Sequence, residues 1–241
     1  MTSYLAEFVG TALLILFGDG VVANVLLNKS KGNGGGWIVV TAGWAMGVVV
    51  GVYSVGTISD GHLNPAVTIG LAAIGKFEAA KVPGYLTAQL AGAMFGALLV
   101  WLAYLPHWKE TPDTGAKLGV FCTAPAIRHP VGNLLCEIIG TAALVFGALA
   151  IPSTSNLTAP GWATGFGPLL VGLLVFAIGL SLGGPTGYAI NPARDLGPRL
   201  AHALLPIAGK GGSDWSYAWI PVIGPVAGGL IGALLHRVLF D

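Results

Sequence analysis

The sequence predicts an all-α membrane protein of six transmembrane helices plus two re-entrant half-helices, built as an inverted repeat of three spans each. Three observations carry this. The 241 residues are 54% hydrophobic and only 9% charged, with a mean hydropathy of +0.79, whereas an ordinary soluble domain has about a quarter charged residues. So little charge cannot cover a water-facing surface, and the main solvent must be lipid. Six apolar segments approach or exceed the ~20 residues that a spanning helix requires. Finally, Asn-Pro-Ala occurs twice, as Asn64-Pro65-Ala66 and Asn191-Pro192-Ala193, at matching places in two similar halves.

The first span covers about 5–27. It follows Thr2-Ser3-Tyr4 with neither a basic stretch nor a small-residue cleavage site, so it reads as a retained helix and not a removed signal peptide. The second covers about 37–56. Ahead of it, the run Gly32 to Gly36 lacks a following Lys-Ser/Thr and reads as a loop, not a phosphate cradle. Residues 56–63 are polar and glycine-containing, and the apolar stretch 64–75 after them is too short to cross. The third span is about 83–104. Pro106, Pro112, Pro125 and Pro130, with several charges, make 105–132 a solvent-exposed connector. Spans at about 133–152, 166–182 and 217–238 follow, with a second short apolar stretch, 191–205, after the second motif.

The halves repeat residue by residue. Glu7-Phe8-Val9-Gly10-Thr11-Ala12 returns as Glu137-Ile138-Ile139-Gly140-Thr141-Ala142, and Gly96-Ala97-Leu98-Leu99 as Gly232-Ala233-Leu234-Leu235. A unit with an odd number of spans enters the membrane from the opposite side when duplicated. The chain is therefore one transmembrane channel domain over 1–241, with repeat one about 1–104, the connector about 105–132 and repeat two about 133–241. Neither repeat would bury its helix faces alone. Glycines one turn apart, such as Gly92 and Gly96, fit close helix packing in lipid.

Asn before Pro is an ordinary helix start, because Asn caps free N–H groups and Pro suits the first turn. Two such starts inside an apolar chain mean more. Non-helical backbone at membrane depth is tolerated only where it lines a wet cavity or is buried in protein. Inverted topology brings the two helix N-termini together near the midplane, each with about half a positive charge. Their field disfavours cations, while the Asn64 and Asn191 amides and the carbonyls of the preceding loops offer hydrogen bonds to a neutral solute.

Arg194 follows the second motif directly. An arginine at this depth costs from about 3 to more than 10 kcal/mol and normally faces a cavity or a partner; a passage-lining role is favoured over pairing with Asp195. Glu7 and Glu137 hold equivalent positions and read as supports for the two loops rather than a proton relay. Asp19 reads as a solvated helix-end residue. His62 has no companion ligands and its counterpart is Ala189, so no metal site is expected. Cys122 and Cys136 form no pattern. No nucleophile, cofactor or phosphate motif occurs, and a net charge of +1 without a basic run gives no basis for nucleic-acid binding.

Gly61-His62-Leu63-Asn64-Pro65-Ala66-Val67-Thr68, Asn191-Pro192-Ala193-Arg194-Asp195 and the duplicated Glu-x-x-Gly-Thr resemble the major intrinsic proteins, or aquaporins, across essentially the whole chain. Asp195, Arg199 and Pro221-Val222 are similar to the glycerol facilitator, or aquaglyceroporin, branch. The resemblance implies a passive, cofactor-free and non-enzymatic channel for glycerol and similar neutral solutes with some water permeability, assembled as a homotetramer in the cell membrane. It implies a selectivity filter of Trp44, Gly179, Tyr188 and Arg194, in which Gly179 leaves room for the solute, and pore carbonyls from Gly61, His62, Leu63, Gly187, Tyr188 and Ala189. Two positions depart from the branch: Tyr188 stands where Phe is frequent, and Asp60 where a small residue is. Both termini are expected in the cytoplasm, although this leaves Lys29, Lys31, Lys109, Lys117, Arg128 and Lys210 outside, against the usual charge bias. A mainly water-conducting channel and, from another class, an ion-coupled secondary transporter are the rival expectations.

Overall fold

The computed structural model describes residues 2–153 and 161–240, so the expected domain bounds include positions 1, 154–160 and 241 that lie outside the described residues. The chain runs through α1 (Ser3–Leu26), α2 (Trp37–Ser59), α3 (Pro65–Ala73), α4 (Val82–Ala103), α5 (His107–Glu110), α6 (Thr114–Phe121), α7 (Pro130–Ser153), α8 (Trp162–Leu182), α9 (Pro192–Leu204) and α10 (Ile220–Phe240). Among the described residues six helices, α1, α2, α4, α7, α8 and α10, are long and apolar enough to cross a membrane. This is an all-α, multi-pass membrane protein.

The halves pack by the same plan. In the first, α1 packs on α2 and α4; in the second, α7 packs on α8 and α10. Glycine permits both close pairs: a Cβ on Gly96 would sit 2.6 Å from the Ala12 carbonyl oxygen, and one on Gly232 would sit 2.5 Å from that of Ala142. Between halves, α2 meets α8, and each short helix leans on the last span of the other half, α3 on α10 and α9 on α4. Gly197 packs against Ala93 in one contact, and Gly229 against the backbone of Ala66 in the other.

The connector departs from the expected solvent-exposed linker. It forms α5 and α6, and Trp108, Phe121 and Lys117 are buried. Trp108 stacks on Phe121 with ring centroids 5.6 Å apart, and α6 contacts both α1 and α9. The prolines start and stop short helices there without preventing them, since Pro suits the edges of helices. Lysines fasten the far end of α9. Lys210 Nζ donates to the carbonyls of His202, Ala203 and Leu205 at 2.5, 2.8 and 2.7 Å, and Lys117 Nζ donates to Ala208 and Gly209. Lys210 thus satisfies open carbonyls at the end of α9, and Lys117 holds the turn that follows it.

Candidate functional site

Glu7 and Glu137 each hydrogen-bond one of the two irregular loops. Glu7 Oε1 accepts from Ser59 Oγ (2.7 Å) and the His62 N–H (2.9 Å), and Oε2 from the Leu63 N–H (2.8 Å) and Gln89 Nε2 (2.7 Å). Glu137 Oε1 accepts from Thr186 Oγ1 (2.7 Å) and the Ala189 N–H (3.0 Å), and Oε2 from the Ile190 N–H (2.8 Å). Each acid therefore holds the N–H side of one irregular loop, which turns that loop's carbonyls the other way. Leu63, Tyr188 and Ile190 have φ of 51°, 38° and 43°, left-handed conformations that cost a non-glycine residue about 1–2 kcal/mol. The buried carboxylate bonds offset that strain.

Asn64 and Asn191 cap α3 and α9: Asn64 Oδ1 accepts from the Ala66 N–H at 2.8 Å, and Asn191 Oδ1 from Ala193 at 3.0 Å and Arg194 at 3.3 Å. Each amide also reaches the loop of the other half. Asn64 Nδ2 donates to the Ile190 carbonyl and Asn191 Nδ2 to the Leu63 carbonyl, both at 2.8 Å. The two helix starts are thereby tied together. A primary amide has two N–H bonds, so the second on each is left for the cavity that both residues line.

Two cavities meet at a neck. The larger, about 590 Å³, contains both asparagines and extends to Asp60 and Thr57; the smaller, about 330 Å³, extends to Gly36 and Ala124. Trp44, Tyr188 and Arg194 line both. The Arg194 guanidinium lies over the Trp44 ring, 4.0 Å from its centroid, and that indole lies flat on the bare backbone of Gly18. Among the described residues no protein acceptor bonds the guanidinium, so its N–H groups remain available to a solute.

Gly179 is placed differently from its three companions. It lies behind Tyr188: a Cβ there would come 2.9 Å from Tyr188 Cζ and 2.8 Å from Thr41 Cγ2. Trp37 Nε1 donates to the Gly179 carbonyl at 2.9 Å and its ring meets Tyr188 edge-on. The glycine makes room for the tyrosine ring, and the ring borders the neck. The expected carbonyl residues Gly61, His62, Leu63, Tyr188 and Ala189 line the larger cavity and Gly187 the smaller. Ile190, whose carbonyl mirrors that of Leu63, was missing from the expectation; the repeat offset alone points to it.

Asp60 is exposed at the cavity mouth, ending α2 in a left-handed turn at φ 63°. His62 Nδ1 meets Thr68 Oγ1 at 3.0 Å and its ring packs on Phe77 and Tyr85, a structural setting. Asp195 pairs with Arg199 through Nε and Nη2 at 2.8 and 2.9 Å and accepts from the Thr123 N–H at 2.8 Å, leaving Arg194 to the neck. The reading of Asp19 as a solvated helix-end residue is overturned: it lies inside α1 and is fully buried. Among the described residues no group of three potential metal ligands gathers.

Residues 1–236 match the major intrinsic protein family. The chain belongs to that family. It is 63% identical over 240 residues to a probable glycerol uptake facilitator protein of Thermotoga maritima, covering 100% of both chains. With the glycerol uptake facilitator protein of Bacillus subtilis it shares 55% identity over 100% of this chain and 85% of the other. The crystal structure of the aquaglyceroporin from Plasmodium falciparum superposes with a TM-score of 0.84 at 30% identity, over 98% of this chain and 95% of that one. The tied Asn-Pro-Ala pair and the neck of this major intrinsic protein therefore sit on a shared scaffold.

Proposed function

We propose that this protein is a passive channel, not an enzyme, that carries glycerol and similar small neutral solutes with some water. One observation carries the reading: Trp44, Tyr188 and Arg194 border both cavities, so a solute must pass an aromatic corner and a guanidinium together. The rings suit the carbon edge of a polyol, and the guanidinium with the loop carbonyls suits its hydroxyls. Gly179 completes the filter indirectly, by seating Tyr188. The names of the Thermotoga and Bacillus relatives favour the same solute.

In this reading α3 and α9 are re-entrant half-helices, entering from opposite faces and meeting at the tied asparagines, and the two halves are an inverted repeat. Four copies assemble with one passage each. Both termini lie in the cytoplasm. The outward cations that oppose this orientation are largely occupied: Lys117 and Lys210 bind carbonyls, Arg128 pairs with Asp214 at 2.5 Å, and Lys29 pairs with Glu110, a hydrogen bond that lowers the Glu110 pKa.

Tyr188 supports a second reading. Its ring fills the space that Gly179 opens, which narrows the neck toward a mainly water-conducting channel. Light scattering of proteoliposomes decides between them when water and glycerol gradients are applied in turn. Glycerol entry without any ion gradient is expected; entry that requires a proton or sodium gradient makes the protein an ion-coupled transporter, and water flux without glycerol flux selects the second reading.

A further inference from the structure

Tyr188 borders the neck, yet its hydroxyl is buried without a hydrogen-bond partner among the described residues. Packing therefore fixes where the ring stands. Two glycines at the end of α8 leave its slot: a Cβ on Gly179 would lie 2.9 Å from Tyr188 Cζ, and one on Gly183 would lie 2.5 Å from Tyr188 Cδ1. Trp37, the first residue of α2, closes that slot. Its ring meets Tyr188 edge-on with centroids 5.8 Å apart, and its Nε1 donates to the Gly179 carbonyl at 2.9 Å. Its Cζ2 would lie 2.7 Å from the same Cβ on Gly183. One indole thus touches the tyrosine ring and ties down the helix that seats it.

The first half has the opposite arrangement. The residues that stand as far ahead of Asn64 as Gly179 and Tyr188 stand ahead of Asn191 are Val52 and Gly61. There the helix supplies the side chain and the loop supplies the glycine: a Cβ on Gly61 would lie 3.2 Å from Val52 Cγ1. Both residues line the larger cavity and not the smaller, so no ring narrows that end. The neck lies where the loop carries the bulk, and Trp37 stands behind that bulk. Trp37 itself lines the smaller cavity and not the larger, so it acts on the neck through Tyr188.

We infer that Trp37 is a positioning residue of the filter: it holds the Tyr188 ring at the neck and thereby sets the upper size of the polyol that passes, at three carbons against four. The inference rests on the channel reading above. Without the indole, the tyrosine ring gains the space it occupied and the opening widens. Trp37 is 41% exposed, and a tryptophan that only anchored α2 at the membrane interface would leave the size limit unchanged.

The test uses the full chain in proteoliposomes and measures glycerol and erythritol entry by light scattering. Trp37→Leu removes both the ring contact and the donor, whereas Trp37→Phe keeps a ring and removes the donor. The ratio of erythritol to glycerol entry is expected to rise about tenfold in Trp37→Leu, the scale of one edge-on aromatic contact and one hydrogen bond. In Trp37→Phe, which keeps the test decisive if the leucine variant does not fold, it should rise about threefold. Either change made on Tyr188→Leu channels, which lack the ring, should leave their ratio within about twofold, because the two residues act as one unit. An unchanged ratio in the single variants overturns the inference, and so does a rise that is as large without the Tyr188 ring. Wild-type vesicles that admit no glycerol would instead overturn the channel reading.

Discussion

Tyr188 and Gly179 act as one unit, since the phenol occupies the volume that the glycine lacks. A Gly179→His substitution must therefore displace the ring as well as add an imidazole. Overpacking of this kind costs about 1–3 kcal/mol, and glycerol permeability should fall about tenfold or more with water permeability less affected; vesicle light scattering reads both. Tyr188→Phe removes a hydroxyl that is buried without a partner, so glycerol flux should stay within about twofold, and a loss beyond that would mean the hydroxyl binds the solute. As filter members, Trp44 and Arg194 came from the family resemblance, and both line the two cavities. The place of Gly179 behind Tyr188 was not legible in the sequence, because it depends on how the irregular loop 183–190 folds back. Asp19 was hidden for a different reason: a helical position has no sign in sequence of what packs over it.

At the scale of elements, each irregular loop is fixed from behind by one carboxylate. Glu137→Gln keeps the shape and replaces one accepting oxygen with an N–H₂ group that faces existing donors. A buried donor left unmatched costs about 1–3 kcal/mol, so Glu7→Gln and Glu137→Gln should both lower the midpoint of thermal unfolding in detergent and reduce glycerol flux. The two effects should be similar because the bonding is nearly the same in the two halves. A normal midpoint with lost flux would instead place the acids in conduction. The motif and its place at a helix start were readable from the duplicated segments. The short helices α5 and α6 were not, since four prolines and several charges look the same in a buried connector as in an exposed one. Lys117 and Lys210 likewise look like surface cations until the end of α9 is in place.

Across the whole molecule, the repeat offsets made two equivalent halves legible, but not the exchange between them. α4 carries small residues on two faces, one toward α1 at Gly96 and one toward α9 at Ala93, and composition does not say which partner each face takes. In the fold, α3 rests on α10 and α9 on α4, while the two asparagines bond across the same boundary. A half expressed alone therefore keeps its own three long helices but leaves its short helix without a seat and its asparagine without a carbonyl. The chain can be cut beside Ile127, which is 78% exposed and lies between α6 and α7. Neither fragment alone should conduct glycerol, because buried polar groups at the ends of α3 and α9 would be left unmatched in lipid. Co-expressed fragments should copurify and restore glycerol entry in vesicles, and conduction by either fragment alone would show that the exchanged contacts do not build the passage.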